Sequence, residues 1–151
     1  MVTWNLTIDA NDPERLAQFW APLLGYEPQP PPAGHGSWRD WYLSVGVPEE
    51  ELADIGPDYC DRLHDPTGEG PTIWFQIVPE GKTVTKNRLH LDVYPAGPDR
   101  TRPPTEERKR AVQETIDRVV QQGATVLRTT IDDNSYSAVM QDPEGNEFCI
   151  S

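Results

Sequence analysis

Two short patterns each occur twice in this chain, and that internal repeat restricts it to a fold built from two similar halves. Asn5-Leu6-Thr7-Ile8-Asp9 is echoed by Arg88-Leu89-His90-Leu91-Asp92. Both alternate apolar and polar residues with period two, the mark of a strand with one dry face and one wet or functional face. Leu6 and Ile8 share one face with, in the second copy, Leu89, Leu91 and Val93. Asn5, Thr7 and Asp9 take the other, as do Arg88, His90 and Asp92. Asp65-Pro66-Thr67-Gly68 likewise returns as Asp142-Pro143-Glu144-Gly145, and each copy leads into an apolar run, Ile73 to Val78 and Glu147 to Ile150. We read one domain over residues 1–151, made of a first module over about 1–80 and a second over about 87–151.

Each module reads as strand, helix, strand, strand, strand. In the first, a strand over Thr3 to Asp9 precedes a helix that Asp12 caps, with Pro13 at the first helical position and Glu14 near the positive helix end. Leu16, Phe19, Trp20, Leu23 and Leu24 form its apolar stripe, Pro22 removes one late backbone bond, and Gly25 stops it. Residues 27–37 are a proline- and glycine-rich loop. Trp38 to Val45 is expected as a strand, then an acidic excursion from Pro48 to Pro57, a short strand around Tyr59 to Leu63, a turn at Asp65 to Gly68, and a strand from Ile73 to Val78. In the second, the His90 strand is followed by a loop from Pro95 to Pro104 and a helix capped by Thr105. Its stripe is Val112, Ile116, Val119 and Val120, and it ends at Gly123. Strands over Ala124 to Ile131, Tyr136 to Gln141 and Asn146 to Ser151 complete the chain.

Composition narrows the partners. Of 151 residues, 13 are Lys or Arg and 25 are Asp or Glu, a formal charge of -12 that repels phosphate backbones and anionic membranes. No apolar run approaches the roughly 18 residues of a membrane helix. The first strand begins without a basic and apolar leader, so the expected setting is the cytoplasm. Cys60 and Cys149 lack zinc-site spacing and are expected as free thiols.

The order βαβββ-βαβββ resembles the vicinal oxygen chelate superfamily, the group of glyoxalase I, bleomycin-resistance proteins and extradiol dioxygenases, and within it the glyoxalase-like domains. The resemblance rests on residues 12–20 with Leu24-Gly25-Tyr26, on residues 87–92, on Gly123-Ala124-Thr125-Val126, and on Asp142 through Cys149. It implies an α+β fold whose two modules cup a mixed sheet around a cavity, and a homodimer. It fixes no single chemistry, because one fold carries many.

Metal-using members of that superfamily place His or Gln early in each module's first strand and Glu in each last strand. Carried over one at a time, those places fall on Asn5, Arg88, Gln76 and Cys149. None is the usual ligand, and an arginine remains cationic. The expectation is therefore no cofactor and no standard metal. The alternative is a shifted site of Gln76, His90 and Glu147 holding Zn, Ni, Mn or Fe, the last two residues displaced by about 6.5 Å along their strands.

His90, on a polar strand face between Arg88 and Asp92, is the candidate acid or base, with Glu147 as second candidate. Arg88 is the candidate clamp for an anion, or else a structural partner of Glu147 or an Asp. Asn5, Thr7, Trp38, Trp74, Gln76, Arg88, His90 and Cys149 are the expected ligand-binding residues, the tryptophans by stacking on a planar ligand or by core packing. Trp4 is expected in the core, and Cys149 as an inert core thiol. Two functions remain: a module that binds a small anionic or aromatic organic molecule, or a lyase, isomerase or dioxygenase using His90 and Glu147.

Overall fold

The structure is a computed structural model, and it describes residues 4–97 and 104–151. The chain divides into two units, one ending at Val78 and one beginning at Pro79. In the first, β1 (Leu6–Ala10) leads to α1 (Pro13–Leu24), β2 (Glu27–Pro28), α2 (Trp38–Ser44), β3 (Arg62–His64) and β4 (Ile73–Ile77). In the second, β5 (Leu91–Val93) leads to α3 (Glu106–Gln121), β6 (Thr125–Asp132), β7 (Ser135–Gln141) and β8 (Glu147–Ile150). The sheets run β1-β4-β3-β2 and β5-β8-β7-β6, so both units share one topology, with a parallel first-to-last pair and antiparallel neighbours. The fold is α+β with two βαβββ units.

The helices start and stop where local chemistry directs. Asp12 Oδ1 accepts the Arg15 N–H at 3.1 Å, and Thr105 Oγ1 accepts the Arg108 N–H at 3.2 Å. Gly25, at φ 70, closes α1 in the left-handed conformation that glycine adopts without a Cβ clash. Pro22 sits inside α1, which carries on to Leu24. Leu16, Phe19, Trp20 and Leu23 are buried, as are Leu63, Ile73 and Phe75 on the strands beneath. In the second unit Val112, Ile116 and Val119 cover Ala138, Met140, Phe148 and Ile150. Each such valine, leucine, isoleucine, phenylalanine or methionine contributes about 1.5–3 kcal/mol by leaving water.

The repeated turns are one device used twice. Asp65 accepts the N–H of Thr67 at 2.8 Å and of Gly70 at 2.7 Å, and Asp142 accepts those of Glu144 and Asn146, each at 2.9 Å. Gly68 at φ 74 and Gly145 at φ 85 complete the reversals.

Four sequence expectations fail locally. The expected strand Trp38 to Val45 is instead the helix Trp38–Ser44. Ser37 Oγ caps it by accepting the Asp40 N–H at 3.1 Å, and Trp38, Trp41 and Tyr42, at helical spacing, gather on one side around Arg62. The second strand is instead Glu27–Pro28, inside the expected loop, where Pro28 is tolerated because β2 is a sheet edge. Trp4 is 65% exposed because the ladder with β4 begins at Leu6, beyond it. The His90 strand is only Leu91–Val93, and Leu89 is 86% exposed. The Glu147 carbonyl is approached by the Asn87 side-chain amide at 3.4 Å, outside any ladder. The expected first residue Thr3, and residues 98–103 of the expected Pro95–Pro104 loop, lie outside the described residues.

Candidate functional site

Residues opposite one another in a ladder share a sheet face. In the second unit, Leu91, Phe148 and Met140 form a row under α3, while Asp92, Cys149, Val139 and Arg128 form a row on the other face. Glu147, opposite Gln141, lies on that same polar face. His90 precedes β5 and reaches the row through Asp92, with Nε2 3.5 Å from Asp92 Oδ1. One donor atom from each of His90, Asp92 and Cys149 lies within 4.8 Å of the other two. The cluster therefore assembles from a strand pairing and the residue two positions before it.

Electrostatics around the cluster are mixed. Glu147 is 7% exposed and bonds Lys86, which takes the structural role that was one alternative for Arg88. That hydrogen bond holds the Glu147 carboxyl below its ordinary range, helped by His90 and Arg128. The Cys149 thiol is pushed up, first by burial and then by the Asp92 carboxylate beside it. Both cysteines are free thiols. Arg88 is exposed, ahead of β5.

In the first unit the row Thr7, Trp74, Arg62 and the pair Asp9, Gln76 occupy the face away from α1. Asn5 and Thr7 are exposed, and Trp74 and Gln76 are half-buried. Arg62, which sequence reading did not single out, is the centre here. Its guanidinium carbon stands 4.2 Å from the Trp38 ring centroid and 5.0 Å from that of Trp74, cation–π distances. Asp61, 4% exposed, accepts from Tyr42 at 2.7 Å, Arg62 at 2.8 Å and Trp74 at 3.1 Å. Trp38 is 5% exposed and donates its indole N–H to the Gln29 carbonyl at 2.8 Å. The grouping of three aromatics at helical spacing near an Asp-Arg pair is the only signal that could have revealed it. A further cleft, lined by Arg108, Asn134, Tyr136 and Ser151 among others, holds none of the residues singled out from sequence.

The polar knot has a pH consequence. Burial, then the bond to Asp61, pushes the Tyr42 phenol up to about 12, and burial raises Tyr59 further. A raised folded-state pKa gives stability that is complete below the unfolded value near 10 and is lost as pH climbs toward 12. Urea midpoints at about pH 9 and about pH 11.5 should therefore fall more in the native chain than in Tyr42→Phe. Equal falls would reject the role of Tyr42.

A sheet of order β1-β4-β3-β2 repeated as β5-β8-β7-β6, each with one helix on its apolar face, defines the vicinal oxygen chelate class. Solved structures of that fold align with nearly the whole chain. The hypothetical protein SA1046 from S. aureus matches with TM-score 0.55 and 14% identity, covering 99% of this chain and 96% of its own. A glyoxalase/bleomycin resistance protein/dioxygenase family enzyme from Burkholderia phytofirmans PsJN matches with TM-score 0.54 and 19% identity, covering 97% and 94%. A variant of the fosfomycin resistance protein FosX from Listeria monocytogenes, complexed with Mn(II) and 1S,2S-dihydroxypropylphosphonic acid, matches with TM-score 0.55 and 11% identity, covering 99% and 90%. No curated protein matches the sequence. The glyoxalase-like domain model matches residues 5–151, and the chain belongs to that family.

The superfamily's usual metal does not fit the residues present. Its places hold Asn5, Arg88, Gln76 and Cys149, and a guanidinium at one of them opposes a cation. In the shifted alternative of Gln76, His90 and Glu147, the last is engaged by Lys86 while His90 sits instead with Asp92 and Cys149. Among the described residues no helix is long and apolar enough to cross a membrane.

Proposed function

We propose that this glyoxalase-like protein binds a small anionic organic molecule on the polar face of its second sheet, without the superfamily's standard metal. One observation carries the reading: on a chain of formal charge -12, Lys86, His90 and Arg128 all act on the carboxylate of Glu147, on a face whose other carboxylate is Asp92. With Arg88 just ahead of β5, three full cations and a histidine stand against the two carboxylates Glu147 and Asp92, so a further anion is favoured there. Arg88, just ahead of this face, is available as a further clamp. Asn5, Thr7, Trp74 and Gln76 stay ligand-binding candidates on the first sheet. A homodimer and a cytoplasmic setting belong to the same proposal.

A carboxylate or phosphonate should bind more tightly than its neutral isostere by about 1.5–3 kcal/mol, the range of charged hydrogen bonds. Calorimetric titration of such pairs against the native chain and Arg88→Ala checks this. Equal affinity for charged and neutral members would reject an anion site.

The 3.5 Å approach of His90 to Asp92 favours a second reading, an enzyme of lyase, isomerase or dioxygenase type with His90 as acid or base. In the same titrations, His90→Ala would then keep affinity and abolish turnover. Lost affinity with no turnover in the native chain leaves binding alone.

A further inference from the structure

The two units share one topology, yet among the described residues only the second gathers metal-ligating atoms. In the first, Ile8 pairs with Phe75 and Asp9 with Gln76; in the second, Leu91 pairs with Phe148 and Asp92 with Cys149. Thr7, Asp9 and Gln76 are thus the counterparts of His90, Asp92 and Cys149. A hydroxyl, a carboxylate and an amide make a poor chelate, whereas an imidazole, a carboxylate and a thiol are the donors of borderline divalent ions.

We infer that His90, Asp92 and Cys149 form a three-donor site, contained in the second unit, for a zinc-like divalent cation. Metal–ligand bonds of about 2.0–2.3 Å in a tetrahedron separate neighbouring donors by about 3.3–3.8 Å. His90 Nε2 and Asp92 Oδ1 stand at 3.5 Å, and the thiol sulfur lies within 4.8 Å of one donor atom of each residue. Side-chain rotation closes the remaining gap, since His90 and Asp92 are exposed. The strand pairing of Asp92 with Cys149 holds two of the three donors in place. On metal entry the thiol proton leaves to solvent and the sulfur ligates as thiolate, which disfavours Mg, Ca and Mn. The fourth corner stays open, as in catalytic rather than structural zinc sites.

This site shares only Cys149 with the four-place arrangement and draws on one unit alone. It shares a face with the proposed anion site without depending on it, because the test contains no organic molecule. The full untagged chain is titrated with Co(II), then with Zn(II) or Mn(II). One equivalent of Co(II) should bind with a thiolate-to-cobalt charge-transfer band, and Zn(II) but not Mn(II) should displace it. His90→Ala and Asp92→Asn, both at exposed positions, should weaken uptake at least about tenfold. Cys149→Ser should abolish the band, and Cys60→Ser should leave it intact. Circular dichroism verifies that each variant is folded. A missing band in the native chain, or a band that survives Cys149→Ser, would overturn the site whatever the anion panel gives.

Discussion

Arg62→Ala should cost the protein about 3–5 kcal/mol, as expected when a buried ion pair loses one partner. The reason lies in what Arg62 leaves behind. Asp61 is 4% exposed, and the guanidinium is the one cation among its three donors, the other two being the Tyr42 hydroxyl and the Trp74 indole. Two neutral hydrogen bonds do not offset the desolvation of a carboxylate. The cation also sits among Trp38, Trp41, Tyr42 and Trp74, so alanine opens a void that four rings line. Urea unfolding of the single variants and of Arg62→Met combined with Asp61→Asn separates the contributions. The double variant should lose much less than the two single losses together. A loss below about 1 kcal/mol for Arg62→Ala would mean that Asp61 is not held by this pair. Because α2 brings three of the rings, Arg62→Ala should also loosen that helix, visible as faster amide exchange over residues 38–44.

Phe148→Ala should cost a similar amount, about 3–5 kcal/mol, the range for deleting a buried phenyl ring. Phe148 is fully buried beneath α3, paired with Leu91 and Met140. Its counterpart in the other unit, Phe75, is equally buried beneath α1 and paired with Ile8. Phe75→Ala should therefore match it, and that equality tests the repeat energetically. The functional consequences should differ. β8 carries Glu147 and Cys149 on either side of Phe148, so Phe148→Ala should impair Co(II) uptake while Phe75→Ala leaves it nearly unchanged. Losses below about 1 kcal/mol would show that neither ring anchors its sheet to its helix.

Much of this protein is written in local sequence. Both long helices follow from Asp12, Thr105 and apolar stripes, because capping and burial of one helical face act over a few residues. The Asp65 and Asp142 turns follow from a carboxylate bonding backbone a few positions on, and the repeat of strand patterns was enough to define two βαβββ units. Even the shared face of His90, Asp92 and Cys149 is implied by alternation. Other features were settled only in three dimensions. Trp38 to Ser44 alternates well enough to pass for a strand. It is a helix because Arg62, distant in sequence, supplies the charge around which its aromatics close. Glu147 bonds Lys86 rather than Arg88, since β5 begins at Leu91 and the preceding residues leave the ladder. The approach of Cys149 to Asp92 depends on the register of two strands far apart in sequence. Local sequence sets which residues favour a helix, a turn or one face of a strand. Which side chains meet depends on non-local pairings, whose free energy comes from burial shared across the whole unit.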